Sequence, residues 1–168
     1  MKENEKALEV IKSAVLMEIR GQAFYKNVVE QTKSEDIKNI FNIMAEEEKL
    51  HAEFLTKQYA GIKQGKSLNR ITLPKETSEN IVNLILSKEI KNQISGAGYE
   101  AAAISAAIDM ENKAVEIYTD FANKSTDLEV KELFLWLANW EKGHVKLLSE
   151  LDNELREKIW FDNNFWPF

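Results

Sequence analysis

The two histidines of this sequence each follow a glutamate by three residues. The pairs are Glu48/His51 and Glu141/His144, and they account for all the histidine in the chain. Residues three apart lie on the same face of a helix, so each pair would present a carboxylate beside an imidazole. Mixed carboxylate and imidazole ligands suit iron or manganese. One such pair arises easily by chance in a glutamate-rich helix, whereas two in register predict a metal site.

Two further glutamates, Glu18 and Glu111, lie in the middle of apolar helical stripes. A lone buried carboxylate is costly, and no lysine or arginine occupies these stripes or those of the two Glu-x-x-His helices. Two divalent ions would balance four converging carboxylates, and neutral imidazoles would complete the coordination. We therefore predict a pair of iron ions, or manganese or a mixed pair, with six ligands: Glu18, Glu48, His51, Glu111, Glu141 and His144. The alternative is a metal-free bundle with protonated or solvent-linked glutamates.

Other residues near the Glu-x-x-His pairs are given non-ligand roles. Glu46, Glu47 and Glu53 rotate away from the apolar stripe, so we expect them on a solvated helix face and outside the ligand set. Trp136 and Trp140 are predicted to be packing residues and not electron relays.

Two tyrosines recur at a fixed distance from the isolated glutamates. Tyr25 and Tyr118 lie seven residues after Glu18 and Glu111, about 10 Å along a helix axis. They could donate hydrogen bonds to carboxylates across the bundle and so assist catalysis, or they could be core aromatics. The sequence leaves both interpretations open.

Helical periodicity organises these residues into two hairpins. The first spans 6–59, with a short polar break at Thr32–Ser34, and the second spans 99–155, with Ser125 or Thr126 as the expected cap of its second helix. Between them, 60–98 is predicted to be a long crossover. The fold class is therefore all-α: a four-helix bundle of two hairpins joined by one long crossover, the topology of ferritin-like proteins.

An internal repeat supports the two hairpins. A shift of 93 positions lays the second hairpin on the first without a gap. The shift superposes identical residues at the following pairs: Ile11/Ile104, Ala14/Ala107, Met17/Met110, Glu18/Glu111, Tyr25/Tyr118, Phe41/Phe134, Ala45/Ala138, Glu48/Glu141, His51/His144 and Leu55/Leu148. Such constancy indicates two copies of one hairpin about a pseudo-twofold axis.

Composition limits the possible functions. With 168 residues, 44% hydrophobic, we predict a single domain over 1–168. A net charge of −6 without a basic cluster argues against nucleic acid as a partner. The absence of cysteine excludes disulfides, zinc ribbons, iron–sulfur clusters and thiol redox chemistry within this chain. A charged amino terminus and the lack of a 20-residue apolar run predict a cytoplasmic protein without membrane contact.

The aromatic tail, 156–168, should dock, either on its own bundle or, as we favour, across a homodimer.

At its helix motifs the sequence resembles the rubrerythrin branch of the ferritin-like superfamily. The motifs are Met17-Glu18 through Phe24-Tyr25, Ala45 to His51, Asp109-Met110-Glu111 through Tyr118, and Trp140 to His144. The resemblance implies the same six metal ligands, with Glu48 and Glu141 as the bridging pair.

The sequence departs from the rubrerythrin pattern in two ways. A chain without cysteine cannot contain the rubredoxin-type iron domain, so an external electron donor would be needed. Ala114 replaces an additional glutamate that rubrerythrins place one turn after the third-helix ligand, which weakens the expectation of efficient peroxide reduction.

The leading functional hypothesis is a redox enzyme that reduces hydrogen peroxide or dioxygen in oxidative-stress defence, with peroxide as the specific expectation. A ferroxidase or iron-binding protein is the second possibility. A metal-free helical interaction module is the third, and the aromatic tail is its only support.

Overall fold

The computed structural model describes residues 2–66 and 98–162, which form four α-helices. They are α1 (Lys2–Gln31), α2 (Glu35–Lys63), α3 (Tyr99–Lys124) and α4 (Leu128–Asp162). The predicted all-α class with two helical hairpins is confirmed. Most of the predicted crossover, 67–97, and the end of the aromatic tail, 163–168, lie outside the described residues.

The second and fourth helices are longer than their periodicity suggested. The second helix continues through Gly61 to Lys63, and the fourth continues beyond the predicted end at 155 to Asp162, so the start of the expected tail is helical. Trp160, in the last turns of α4, is half exposed. Among the helices that the structure describes, none is long and apolar enough to cross a membrane.

Two apolar clusters hold the hairpins together, and every helix contributes to both. One cluster contains Tyr25, Phe41 and Leu148. The other contains Leu55, Tyr118 and Phe134. On each helix the predicted metal ligands fall between the stretches that enter the two clusters. The predicted ligands therefore form a polar layer with an apolar cluster on either side.

The hairpin turns are short and capped. Ser34 caps α2, where its hydroxyl oxygen accepts from the amide of Ile37 at 3.4 Å. The expected cap of α4 at Ser125 or Thr126 was wrong. Asp127 is the cap, because its Oδ1 accepts from the first-turn amides of Glu129 and Val130, at 2.9 and 3.3 Å. A carboxylate there also interacts favourably with the positive end of the helix dipole.

A polar contact joins the two hairpins at one end. The Thr32 hydroxyl, just after α1, donates to Glu100 in the first turn of α3 at 2.7 Å. This hydrogen bond is the main reason why the pKa of Glu100 lies below its usual value. The contact places the start of α3 beside the end of α1, which brings the glutamates of these two helices to the same level.

Candidate metal centre

The six predicted ligands come together at the middle of the bundle. Each is 3% exposed or less, although all six are polar or charged: Glu18, Glu48, His51, Glu111, Glu141 and His144. The first and third helices each contribute one glutamate, and the second and fourth each contribute a glutamate and a histidine, from the centre of their buried stripes. The periodicity that buries the apolar neighbours therefore also buries these side chains.

Their ligand atoms form two groups that share two carboxylates. Glu18 and His51 complete one group, and Glu111 and His144 complete the other. Both groups include Glu48 and Glu141, the pair expected to bridge two metals, and within each group one ligand atom per residue lies within 4.8 Å of every other. Two bridging carboxylates with one glutamate and one histidine at each end is the donor arrangement of a dinuclear carboxylate site.

Both imidazoles turn the same nitrogen toward the carboxylates. Nδ1 of His51 lies 3.2 Å from Glu18 Oε2 and 3.4 Å from Glu141 Oε1. Nδ1 of His144 lies 2.9 Å from Glu141 Oε2 and 3.4 Å from an oxygen of Glu48 and of Glu111. Nδ1 is thus the nitrogen available to a metal in each half of the site.

Several of these atoms lack a hydrogen bond. Within the described part of the chain, Glu48 Oε1, both oxygens of Glu141 and Nδ1 of His144 are buried and make none of acceptable geometry. Buried polar atoms without partners are uncommon and need an explanation. Metal ions would satisfy all of them together, and the mixed oxygen and nitrogen donors fit two divalent ions of the iron or manganese type.

Charge crowding shifts the protonation of the pocket. Burial and the neighbouring carboxylates raise the pKa of Glu48 well above its usual value, and burial with Glu141 raises the pKa of Glu111 to about 7. Burial lowers the pKa of His51, but the neighbouring carboxylates of Glu141 and Glu18 outweigh it and raise the pKa to about 9. Burial also raises the pKa of Glu141, but His144 and His51 outweigh it, so that pKa falls below its usual range. Without metal, protons provide the positive charge that the carboxylates require.

The two tyrosines donate hydrogen bonds across the bundle. The hydroxyl of Tyr25 on α1 donates to Glu111 on α3, and that of Tyr118 on α3 donates to Glu18 on α1. Both side chains are fully buried, and burial beside these carboxylates raises the pKa of each phenol well above its usual value. Both interpretations left open by the sequence therefore hold, since each tyrosine donates to a carboxylate and also packs in an apolar cluster.

The prediction that Glu47 faces solvent was wrong. Glu47 is 5% exposed, and its Oε2 lies 2.7 Å from Nε2 of His144. Because α2 packs against α1 and also contacts α4, its buried face is wider than the single predicted stripe. A second row of that face includes Met44, Glu47 and His51. In the sequence Glu47 lies one turn before His51, but that spacing alone does not show whether this flank of the helix is buried. Glu46 is exposed, as predicted, and forms an ion pair with Lys49.

The tryptophans pack beside one histidine. Trp140 and Trp136 place their rings against His51, with centroids 5.0 and 5.7 Å away, and against each other at 5.4 Å. They form an aromatic wall on this side of the site.

A cavity of about 280 Å³ reaches the site between α1 and α3. Glu18, Glu48, Glu111 and Glu141 line its inner part. The remaining lining residues are mostly apolar or small, with two cations: Met17, Arg20, Gly21, Met110, Lys113, Ala114, Ile117 and Tyr118. Small molecules therefore have a largely apolar approach to the carboxylates. Ala114 contributes to this space.

The bundle and its central carboxylate and histidine cluster define a ferritin-like protein. Residues 9–104 and 102–162 match the family model described as Rubrerythrin, and the chain belongs to the rubrerythrin family. Among solved structures, it is similar to a hypothetical protein from Pyrococcus furiosus, with 26% identity, a TM-score of 0.61 and 90% of each chain covered. A search of curated proteins found no match.

Proposed function

We propose that this protein is a dinuclear iron or manganese oxidoreductase that reduces hydrogen peroxide or dioxygen. The observation that carries the proposal is the sharing of Glu48 and Glu141 by two buried ligand groups next to a cavity. When bound and reduced, the two ions would supply one electron each, which with two protons converts one hydrogen peroxide into two waters. With no cysteine in this chain, the electrons would come from an external donor.

The residues around the site have defined tasks in this proposal. Tyr25 and Tyr118 keep Glu111 and Glu18 oriented, so that each of these glutamates would hold one ion, while Glu48 and Glu141 would serve both. Met17, Met110 and Ile117 line the approach and limit the access of bulk water.

Transient iron handling is the competing function, and the cavity lining argues against it. A route for ferrous ions would favour carboxylates along its length. Here Arg20 and Lys113, both cationic, line the same cavity as the four glutamates. An uncharged oxidant would pass these cations more readily than a divalent ion would.

The test combines metal retention with turnover. The protein is loaded anaerobically with ferrous iron, dialysed, assayed for metal and then mixed with hydrogen peroxide under stopped flow. We expect about two ions per chain after dialysis and peroxide consumption faster than that of the same concentration of free ferrous ion. Slower consumption would rule out the enzyme, and loss of iron on dialysis would favour iron handling.

A further inference from the structure

The two halves of the site have equivalent ligands but different residues behind the histidines. The 93-residue repeat places Glu47 of α2 and Trp140 of α4 at corresponding positions. Glu47 lies 2.7 Å from Nε2 of His144. Trp140 instead sets its ring edge-on to His51, at an interplanar angle of 86°. One position of the repeat therefore holds a carboxylate behind one imidazole and an indole behind the other.

The hydrogen bonding of the two imidazoles differs accordingly. With Nδ1 turned to the shared carboxylates, Nε2–H of His144 can donate to Glu47. Nε2 of His51 is buried and has no hydrogen-bond partner among the described residues. Glu47 and His144 are both buried, so water does not screen their interaction.

A carboxylate behind a metal-binding histidine fixes its tautomer and ring orientation and makes the coordinating nitrogen a stronger donor. We propose that Glu47 is a positioning residue that makes the two metal positions unequal. The position formed by Glu111 and His144 binds a divalent ion more tightly than the position formed by Glu18 and His51. This inference rests on the metal pair of the proposed function, but not on the reaction that the pair performs.

Unequal positions have a consequence for assembly. A chain with less than one equivalent of metal would fill the His144 position first, and the second ion would enter a site already holding one. Ordered filling is the condition under which two different ions, such as iron and manganese, can occupy defined positions.

The experiment is an anaerobic titration of the metal-free protein with cobalt(II), in which calorimetry measures the heat of each addition. For the wild type we expect two resolved steps of one ion each. The Glu47→Gln variant keeps the size of the side chain and removes its charge, and should weaken the tighter step by about 10–100-fold while leaving the weaker one in place. Glu46→Gln, the same change at the neighbouring exposed position, is the matched control and should alter neither step.

Ligand variants assign the steps to positions. His144→Ala should abolish the tighter step, and His51→Ala the weaker one. Two equal steps in the wild type, the reverse assignment, or equal weakening of both steps in Glu47→Gln would overturn the inference. Failure of the wild type to bind cobalt at all would instead overturn the proposed metal pair, and the inference with it.

A spectroscopic measurement on the wild type is independent of any variant. In the cobalt-loaded protein, the Nε2 protons of the two histidines give separate paramagnetically shifted resonances. The proton of His144, held by Glu47, should exchange with solvent more slowly than that of His51. Equal exchange rates would contradict the proposed role of Glu47.

Discussion

Tyr25, on the first helix, donates its hydroxyl hydrogen bond to Glu111 on the third. Tyr118 makes the reciprocal contact to Glu18. Each hairpin thus provides the hydrogen-bond donor to a buried glutamate of the other. The site is therefore sensitive to how the two hairpins are placed relative to each other, and not only to the identity of its ligands.

Replacing Tyr25 with phenylalanine should lower the free energy of unfolding of the metal-free protein by about 1–3 kcal/mol, because a buried carboxylate loses its donor. Chemical denaturation measures this change. Tyr99→Phe removes a hydroxyl from an exposed position of the same helix that carries Glu111 and serves as the control. If both variants lose the same stability, the contact to Glu111 contributes nothing specific.

Metal binding should release protons. At pH 7 the metal-free pocket holds a proton on His51, whose pKa is raised to about 9, and on part of Glu111, whose pKa is raised to about 7. Divalent ions need these groups deprotonated, so affinity should increase as the pH rises through 7 toward 9. Calorimetry in two buffers of different ionisation enthalpy should show more than one proton released per chain at pH 7. A heat of binding that is independent of the buffer would contradict this expectation.

Glu48→Gln should separate stability from metal binding. A carboxylic acid whose pKa is raised on folding stabilises the folded state at low pH, where it is protonated. This stabilisation is lost as the pH rises from the usual pKa of 4.5 to the raised pKa of the folded state. Glutamine cannot ionise, so at pH 7 the metal-free variant should be at least as stable as the wild type. It should also lose the rise in melting temperature that metal gives the wild type. Thermal unfolding with and without manganese tests both parts, and a metal-free variant that melts well below the wild type would disagree with the first.

Two helical glycines should respond differently to alanine. A Cβ at Gly21 would lie 3.2 Å from Glu48 Oε2, whereas a Cβ at Gly143 would meet nothing within 4 Å. Gly143→Ala should therefore raise the free energy of unfolding by about 0.5–1 kcal/mol through helix propensity alone. Gly21→Ala should raise the free energy of unfolding by less. It should also weaken metal binding by displacing Glu48, the expected bridging carboxylate. Equal metal affinity in the two variants would show that Glu48 adjusts without cost.

Filling the cavity should slow the reaction with oxidant without removing metal. Ala114 lines the cavity and is 9% exposed, so Ala114→Leu places its larger side chain in the approach to Glu111. Ala106→Leu, on the exposed face of the same helix, is the control. Stopped-flow oxidation of the reduced, loaded protein should slow in the first variant only. An unchanged rate would indicate that the oxidant enters elsewhere.

The ligand set could be predicted because periodicity along a single helix determines which residues share a face. Glu18 and Glu111 are the carboxylates within otherwise apolar stripes. The repeat places them at corresponding positions, so that each supports the assignment of the other. Glu47 could not be assigned by the same reasoning, since whether a flank of the stripe is buried depends on how closely a second neighbour packs. The hydrogen bonds of Tyr25 and Tyr118 depend on the spacing between hairpins, which no pattern within one helix encodes. Asp127 was missed because three polar residues in succession can each cap a helix, and the turn geometry selects one.

The 93-residue repeat also has a consequence for ancestry. Two separate copies of one hairpin, paired by a true twofold axis, must carry the same residue behind both histidines, since a change in one appears in the other. Once both hairpins belong to a single chain, each can mutate alone. The difference between Glu47 and Trp140 is one that a homodimer of a single hairpin could not carry. Gene fusion would thus have given this bundle the freedom to treat its two metals differently while keeping every ligand the same.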